Sequence, residues 1–79
     1  MSNLEKYDNA FYETIGIKKN ELAGATYQTV KGWDSIGHMQ LIAELEDAFD
    51  IMMDTDDIID FSSYEKGKEI LSKNYQIAF

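Results

Sequence analysis

The stretch GWDSIGHMQLIAELEDAF, Gly32–Phe49, holds the clearest helical pattern of the chain. At about 100° per residue with Ile36 set at zero, Leu41, Ile42, Leu45, Ala48 and Phe49 gather between roughly 120° and 240°. That is the core stripe of an amphipathic helix, and His38 falls inside it. The helix is expected to begin at Asp34 or Ser35 and to run to Phe49. Ile36, Met39 and Ala43 gather on the other side, among Glu46, Asp47 and Asp50. A helix with two apolar faces needs two neighbours. One is the core. The other is either the long loop before the helix or a second protein, since a small apolar patch with a polar rim is a common contact surface.

Three more helical segments flank this one. Leu4, Tyr7, Phe11 and Ile15 share a helical face, Ser2 and Glu5 read as a capping box, and Gly16 is placed to end the segment. A short segment from Asp54 to Asp60 starts with aspartates, which suits the positive end of a helix. The last begins at Ser62 or Ser63, with Ser62 and Glu65 as a second capping box and Tyr64, Gly67, Ile70, Leu71 and Tyr75 as its apolar face. Gly67 is a poor helix former, so its expected reason is close approach to a neighbouring helix. Residues 16–33 make a long connection for so small a domain and need anchors. Leu22, Tyr27, Val30 and Trp33 are the candidates, with one helical turn near Asn20 to Ala23. Tyr27 to Val30 has strand propensity but no second strand to pair with. Met1, Ser2 and Gln76 to Phe79 are expected to fray. The expected architecture is a single all-α domain over residues 1–79, a four-helix bundle with a long first loop and a short third helix.

The 79 residues carry fifteen acidic and seven basic side chains, a formal charge of −8, and no cysteine. That charge argues against a nucleic-acid binder, which needs cations to neutralise phosphate. No disulfide or thiolate metal site is possible. No apolar run would span a bilayer and no signal-peptide pattern opens the chain, so the expectation is a soluble, cytoplasmic, monomeric protein. Between Lys31 and Lys66 there is no Lys or Arg, while the interval holds Asp34, Glu44, Glu46, Asp47, Asp50, Asp54, Asp56, Asp57 and Asp60. Charge of this kind either keeps a small surface solvated or steers basic partners.

Ser35 admits three readings. It competes with Asp34 for the helix N-cap. As a catalytic nucleophile it would need a base and an oxyanion hole, yet the only histidine, His38, faces the core stripe and no G-x-S-x-G is present. As a modified serine it would place a phosphodiester where backbone N–H groups favour an anion, with Gly37 keeping the approach open. The third reading accounts for the hydroxyl, the helix start and the neighbouring patch together.

Trp33 to Ile51, WDSIGHMQLIAELEDAFDI, resembles the attachment-site helix of acyl carrier proteins. Asp34-Ser35-Ile36 is similar to that family's D-S-[LIM] core, and Leu41, Glu44, Leu45, Glu46 and Phe49 resemble the pattern downstream. The order of helices and loop resembles the family over nearly the whole chain. The resemblance implies a non-catalytic carrier with 4′-phosphopantetheine on Ser35, added from coenzyme A by a phosphopantetheinyl transferase whose metal ion Asp34 would help to hold. It implies an acyl thioester as cargo, in fatty-acid, polyketide or other specialised acyl biosynthesis. It implies a partner face of Ile36, Met39, Ala43, Glu46, Asp47, Asp50, Asp54 and Asp57, for loading, condensing or transferring enzymes with basic docking surfaces. It also implies an acyl cavity bordered by His38, Leu41, Ile42, Leu45 and Phe49, which His38 would make more polar than usual. Gly37 stands where housekeeping fatty-acid carriers have an acidic residue, so the chain looks more like a stand-alone carrier of a specialised pathway. A peptidyl or aminoacyl carrier and an unmodified acidic helical adaptor are the alternatives.

Two other constellations fail. Asp54, Asp56 and Glu65 occupy positions one, three and twelve of a calcium loop, but Ile58 replaces the ligand at position five and Ile59 the required glycine, so no EF-hand or other dedicated metal site is expected, and weak divalent binding by the acidic cluster would only relieve carboxylate repulsion. Met52 and Met53 read as core or cavity lining.

Overall fold

Three of the four helices begin where a short polar side chain takes one of the first N–H groups. In the computed structural model, which describes all 79 residues, α1 spans Asn3–Thr14, α2 Ser35–Phe49, α3 Thr55–Asp60 and α4 Tyr64–Tyr75, with one 3-10 turn at Lys19–Glu21 and no sheet. The Ser2–Glu5 capping box is closed in both directions, at 3.1 and 3.0 Å. Asp34 caps α2 and Ser63 caps α4. The expected Ser62–Glu65 box is therefore corrected by one residue. Ser62 instead gives its carbonyl to Tyr27 N at 2.9 Å, and Ser63 Oγ accepts from Lys66 N at 2.9 Å. No helix is long and apolar enough to cross a membrane.

The core is aromatic. Tyr7 and Phe11 of α1, Trp33 of the loop, Phe61 and Tyr64 lie with ring centroids 5.1–6.4 Å apart, largely edge-on or tilted, as aromatic quadrupoles prefer. Leu41, Ile42 and Leu45 of α2 and Ile70 and Leu71 of α4 close it. Leu4, expected on the buried face of α1, is exposed instead. The inward stripe of α1 is Tyr7, Asp8, Ala10 and Phe11, and it admits Asp8 because Tyr64 Oη donates to Asp8 Oδ1 at 2.5 Å. Tyr7 Oη donates to the Tyr64 carbonyl at 2.7 Å. Burial, then the neighbouring Tyr64, holds the Tyr7 phenol well above its ordinary range. Burial and the bond to Asp8 do the same to Tyr64. Gly67 is required here: a Cβ would overlap the Phe61 ring and the Tyr7 hydroxyl. The close approach is thus to α1 and to the α3–α4 connector.

The first loop is a packed layer. Ile17, Leu22, Ala25 and Trp33 are buried, while Tyr27 and Val30 pack half-buried against the core. Its edge pairs with the α3–α4 connector through an antiparallel bridge of Thr26 and Ser63, flanked by Tyr27 N to Ser62 O and Tyr64 N to Ala25 O. A partner for the Tyr27 region does exist, then, but it is a connector and not a second strand. The C-terminus does not fray as expected. Ile77 is buried, Asn3 Nδ2 donates to the Ala78 carbonyl at 2.9 Å, and the Phe79 ring sits 5.1 Å from Tyr7 and 6.2 Å from Phe49. Burying Ile77 and packing the partly covered Phe79 ring outweigh the entropy of a few ordered residues.

Candidate functional site

At the start of α2 the competition between Asp34 and Ser35 is resolved. Asp34 has extended backbone and its Oδ1 accepts from Gly37 N at 2.8 Å, so Asp34 is the N-cap. Ser35 is the first helical residue and exposed, and its hydroxyl takes no part in capping. Its one side-chain partner is Tyr27, with Oη 3.2 Å from Oγ. Gly37 serves a different purpose from the one expected. It is buried under the Gly32 carbonyl, and any Cβ there would collide with that oxygen. The absent side chain lets the loop lie on the helix; it does not clear the way to Ser35.

Behind Ser35 a cavity of about 330 Å³ opens between the loop, α2 and α3, lined by Tyr27, Ser35, His38, Met39, Ile58, Ile59 and Phe61. Of the five residues expected at an acyl cavity only His38 lines it. Leu41, Ile42 and Leu45 are packed in the closed core, and Phe49 is half-buried beside Phe79. The α2 stripe points into the bundle centre, whereas the opening lies between Tyr27 of the loop, the first turn of α2 and the isoleucines of α3. A larger cleft, about 700 Å³, runs under the first loop beside Gly16, Thr29 and Lys31, away from Ser35.

His38 is buried and both ring nitrogens are engaged. Trp33 Nε1–H donates to Nδ1 at 2.9 Å, and Nε2 lies 2.8 Å from the Ile58 carbonyl. Indole N–H can only donate, so Nδ1 must accept and Nε2–H must donate to Ile58. The ring is a neutral clasp joining the loop, α2 and the carbonyl end of α3, where helix carbonyls lack intrahelical partners. The expectation that His38 makes the cavity more polar loses its premise, because neither nitrogen is left unpaired.

The outer face of α2 is open. Ile36 is 73% exposed, Met39 54%, and Ile59 of α3 adds a third apolar side chain at 71%. The alternative of Ile36 and Met39 packed beneath the loop does not hold. Ala43, Asp47, Asp50 and Asp54 are exposed as expected of a contact surface. Glu46 and Asp57 are otherwise engaged. Glu46 Oε2 accepts from Met53 N at 2.8 Å, tying the α2–α3 turn. Asp57 accepts from Tyr75 Oη at 2.7 Å and Asn74 Nδ2 at 3.0 Å, tying α3 to α4. Burial, and then this Asp57 bond, holds the Tyr75 phenol above its ordinary range. Met52, expected inside, is 85% exposed, while Met53 is buried. The only ion pairs, Lys66–Glu69 and Lys68–Glu65, lie within α4, so the carboxylates of α2 and α3 have no cation of their own.

Tyr27 and Ile59 were missed as site residues. Tyr27 carries the signal of a loop anchor and nothing that ties it to Ser35, eight residues on. Of the adjacent pair Ile58-Ile59 the first is half-buried and the second exposed, and a six-residue helix is too short for periodicity to say which is outside. No family model matches the chain, and no curated protein or solved structure matches it closely enough to carry an argument.

Proposed function

We propose that the chain is a discrete acyl carrier protein, with Ser35 as the attachment point of a 4′-phosphopantetheine arm. The observation that carries this reading is the division of labour at the start of α2. Asp34 caps the helix, which leaves Ser35 Oγ exposed at the mouth of an apolar cavity. Ser35 Oγ would form a bond to the phosphorus of the arm as 3′,5′-adenosine diphosphate leaves coenzyme A, its proton passing to a base on the transferase. Asp34 caps through one carboxylate oxygen only, so the other is free for the transferase's metal ion. The arm, once attached, supplies a thiol that carries an acyl group as a thioester. The chain's own part is to hold the attachment point rigid, shelter the arm's cargo, and offer Ile36, Met39 and Ile59 with uncompensated carboxylates to successive enzymes. A tethered substrate reaches each bound partner at high effective concentration. Acidic steering suits fast, short-lived complexes with basic surfaces.

The adaptor reading uses the same exposed face but gives the Ser35 hydroxyl no role. Labelling with a fluorescent coenzyme A analogue and a broad-specificity transferase separates the two. The carrier becomes fluorescent and Ser35→Ala does not. A folded chain that stays dark beside a labelled control carrier contradicts the reading.

A further inference from the structure

We propose that Tyr27 is the positioning residue for the arm: its phenol holds Ser35 Oγ before attachment and donates to the phosphodiester afterwards, turning the arm towards the cavity between α2 and α3. This inference rests on the carrier reading above. Tyr27 Oη is 3.2 Å from Ser35 Oγ, and Ser35 is the only side chain it meets by hydrogen bond. The phenol is held from several sides. Its backbone N–H is bound to the Ser62 carbonyl at 2.9 Å, and its ring lies 5.2 Å from His38 and 6.5 Å from Trp33. Those two rings are fixed by their own hydrogen bond. A rigid phenol loses little freedom when it binds, unlike a lysine on a flexible stem.

Attachment changes what the phenol meets. Ser35 Oγ becomes an ester oxygen, and the two unesterified phosphate oxygens share a negative charge. A hydrogen bond from a neutral donor to a charged oxygen is shorter and stronger than one between two hydroxyls. No basic side chain is hydrogen-bonded or ion-paired at Ser35, which leaves the Tyr27 phenol as the side-chain donor at hand. Tyr27 also lines the cavity beside Ser35. A phosphate drawn to its hydroxyl therefore sends the arm along the Met39–Ile59 wall and not out from the helix end.

The test uses phosphorus NMR of the modified chain. Wild type, Tyr27→Phe and Tyr12→Phe, which alters an exposed tyrosine of α1, are converted with coenzyme A and excess transferase, and conversion is confirmed by mass. The phosphodiester resonance is expected to shift by more than its linewidth in Tyr27→Phe and to stay in place in Tyr12→Phe. An unchanged resonance in Tyr27→Phe overturns the inference while the carrier reading stands. A wild-type chain that takes up no arm overturns both. A second measurement needs no variant: with the tyrosine Cζ atoms labelled, the Tyr27 signal should move on attachment more than those of the other four tyrosines. A Tyr27 signal that stays put also overturns the inference.

Discussion

Replacing His38 with Phe keeps a ring of similar shape and removes both of its hydrogen bonds. Trp33 Nε1–H is then left without a partner in a side chain that is fully buried. An orphaned buried donor costs about 1–3 kcal/mol. The Ile58 carbonyl also loses its partner but belongs to a half-buried residue of α3, where water can replace it in part, for up to about 1 kcal/mol. The expected loss is about 1–4 kcal/mol, a large share of the ~4–12 kcal/mol that a domain of this size holds. Urea unfolding of wild type, His38→Phe, Trp33→Phe and the double variant measures it. In the double variant the indole donor and the imidazole acceptor vanish together, so its loss should fall short of the sum of the single losses by about 1 kcal/mol or more. Amides of α3 should exchange faster in His38→Phe, because the bond from Nε2 to Ile58 pins that helix. A loss below about 0.5 kcal/mol, or strict additivity, would refute the clasp.

Four other outcomes are expected. Gly67→Ala gains helix propensity of ~1 kcal/mol but forces a methyl into Phe61 and the Tyr7 hydroxyl, so thermal unfolding should show no gain and a net loss of up to about 2 kcal/mol. Asp34→Ala removes the cap on Gly37 N and should lower stability by ~1 kcal/mol, with Asp34→Asn retaining most of it. Tyr7 and Tyr64 stay protonated in the folded chain to a higher pH than in the unfolded one. Above pH ~10 the unfolded chain therefore binds fewer protons, and stability should fall as pH rises, by up to ~1.4 kcal/mol per pH unit for the fully buried Tyr7. Denaturant melts at stepped alkaline pH, repeated on Tyr7→Phe, check the sign and the slope. Ile36→Ala and Ile59→Ala should leave stability within ~0.5 kcal/mol, since both side chains are exposed, while slowing transferase-catalysed labelling. Labelling of the wild type should itself slow with added salt.

Much of the fold was legible because helix ends carry chemical signatures. Ser2 with Glu5, Asp34 and the aspartates of α3 mark their starts, and the α2 stripe of Leu41, Ile42 and Leu45 lies where its periodicity puts it. The corrections share one cause, which is that a tertiary contact reassigns a locally ambiguous residue. Ser62 and Ser63 are equivalent caps until the Tyr27 N–H takes the Ser62 carbonyl. Glu46 and Asp57 belong by charge to an open acidic face, yet nearby donors on Met53, Asn74 and Tyr75 draw them into structural bonds. Met52 and Met53 are indistinguishable by composition, and only the turn after Asp50, with φ at 54°, decides which goes inside. Ser35 and its apolar neighbours Ile36 and Met39 could be read directly, because one helix carries them all. Tyr27 could not, because its meeting with Ser35 depends on how an 18-residue loop folds back on the bundle.

Whether Ser35 takes up the arm is read from the intact mass of the chain. The chain is weighed before and after incubation with coenzyme A, magnesium and a phosphopantetheinyl transferase, and the modified peptide is mapped. A gain of one phosphopantetheinyl group, located on Ser35 and absent from Ser35→Ala, is the predicted result. An unchanged mass in the folded wild type, with a control carrier converted alongside, or a gain that survives in Ser35→Ala, would contradict it.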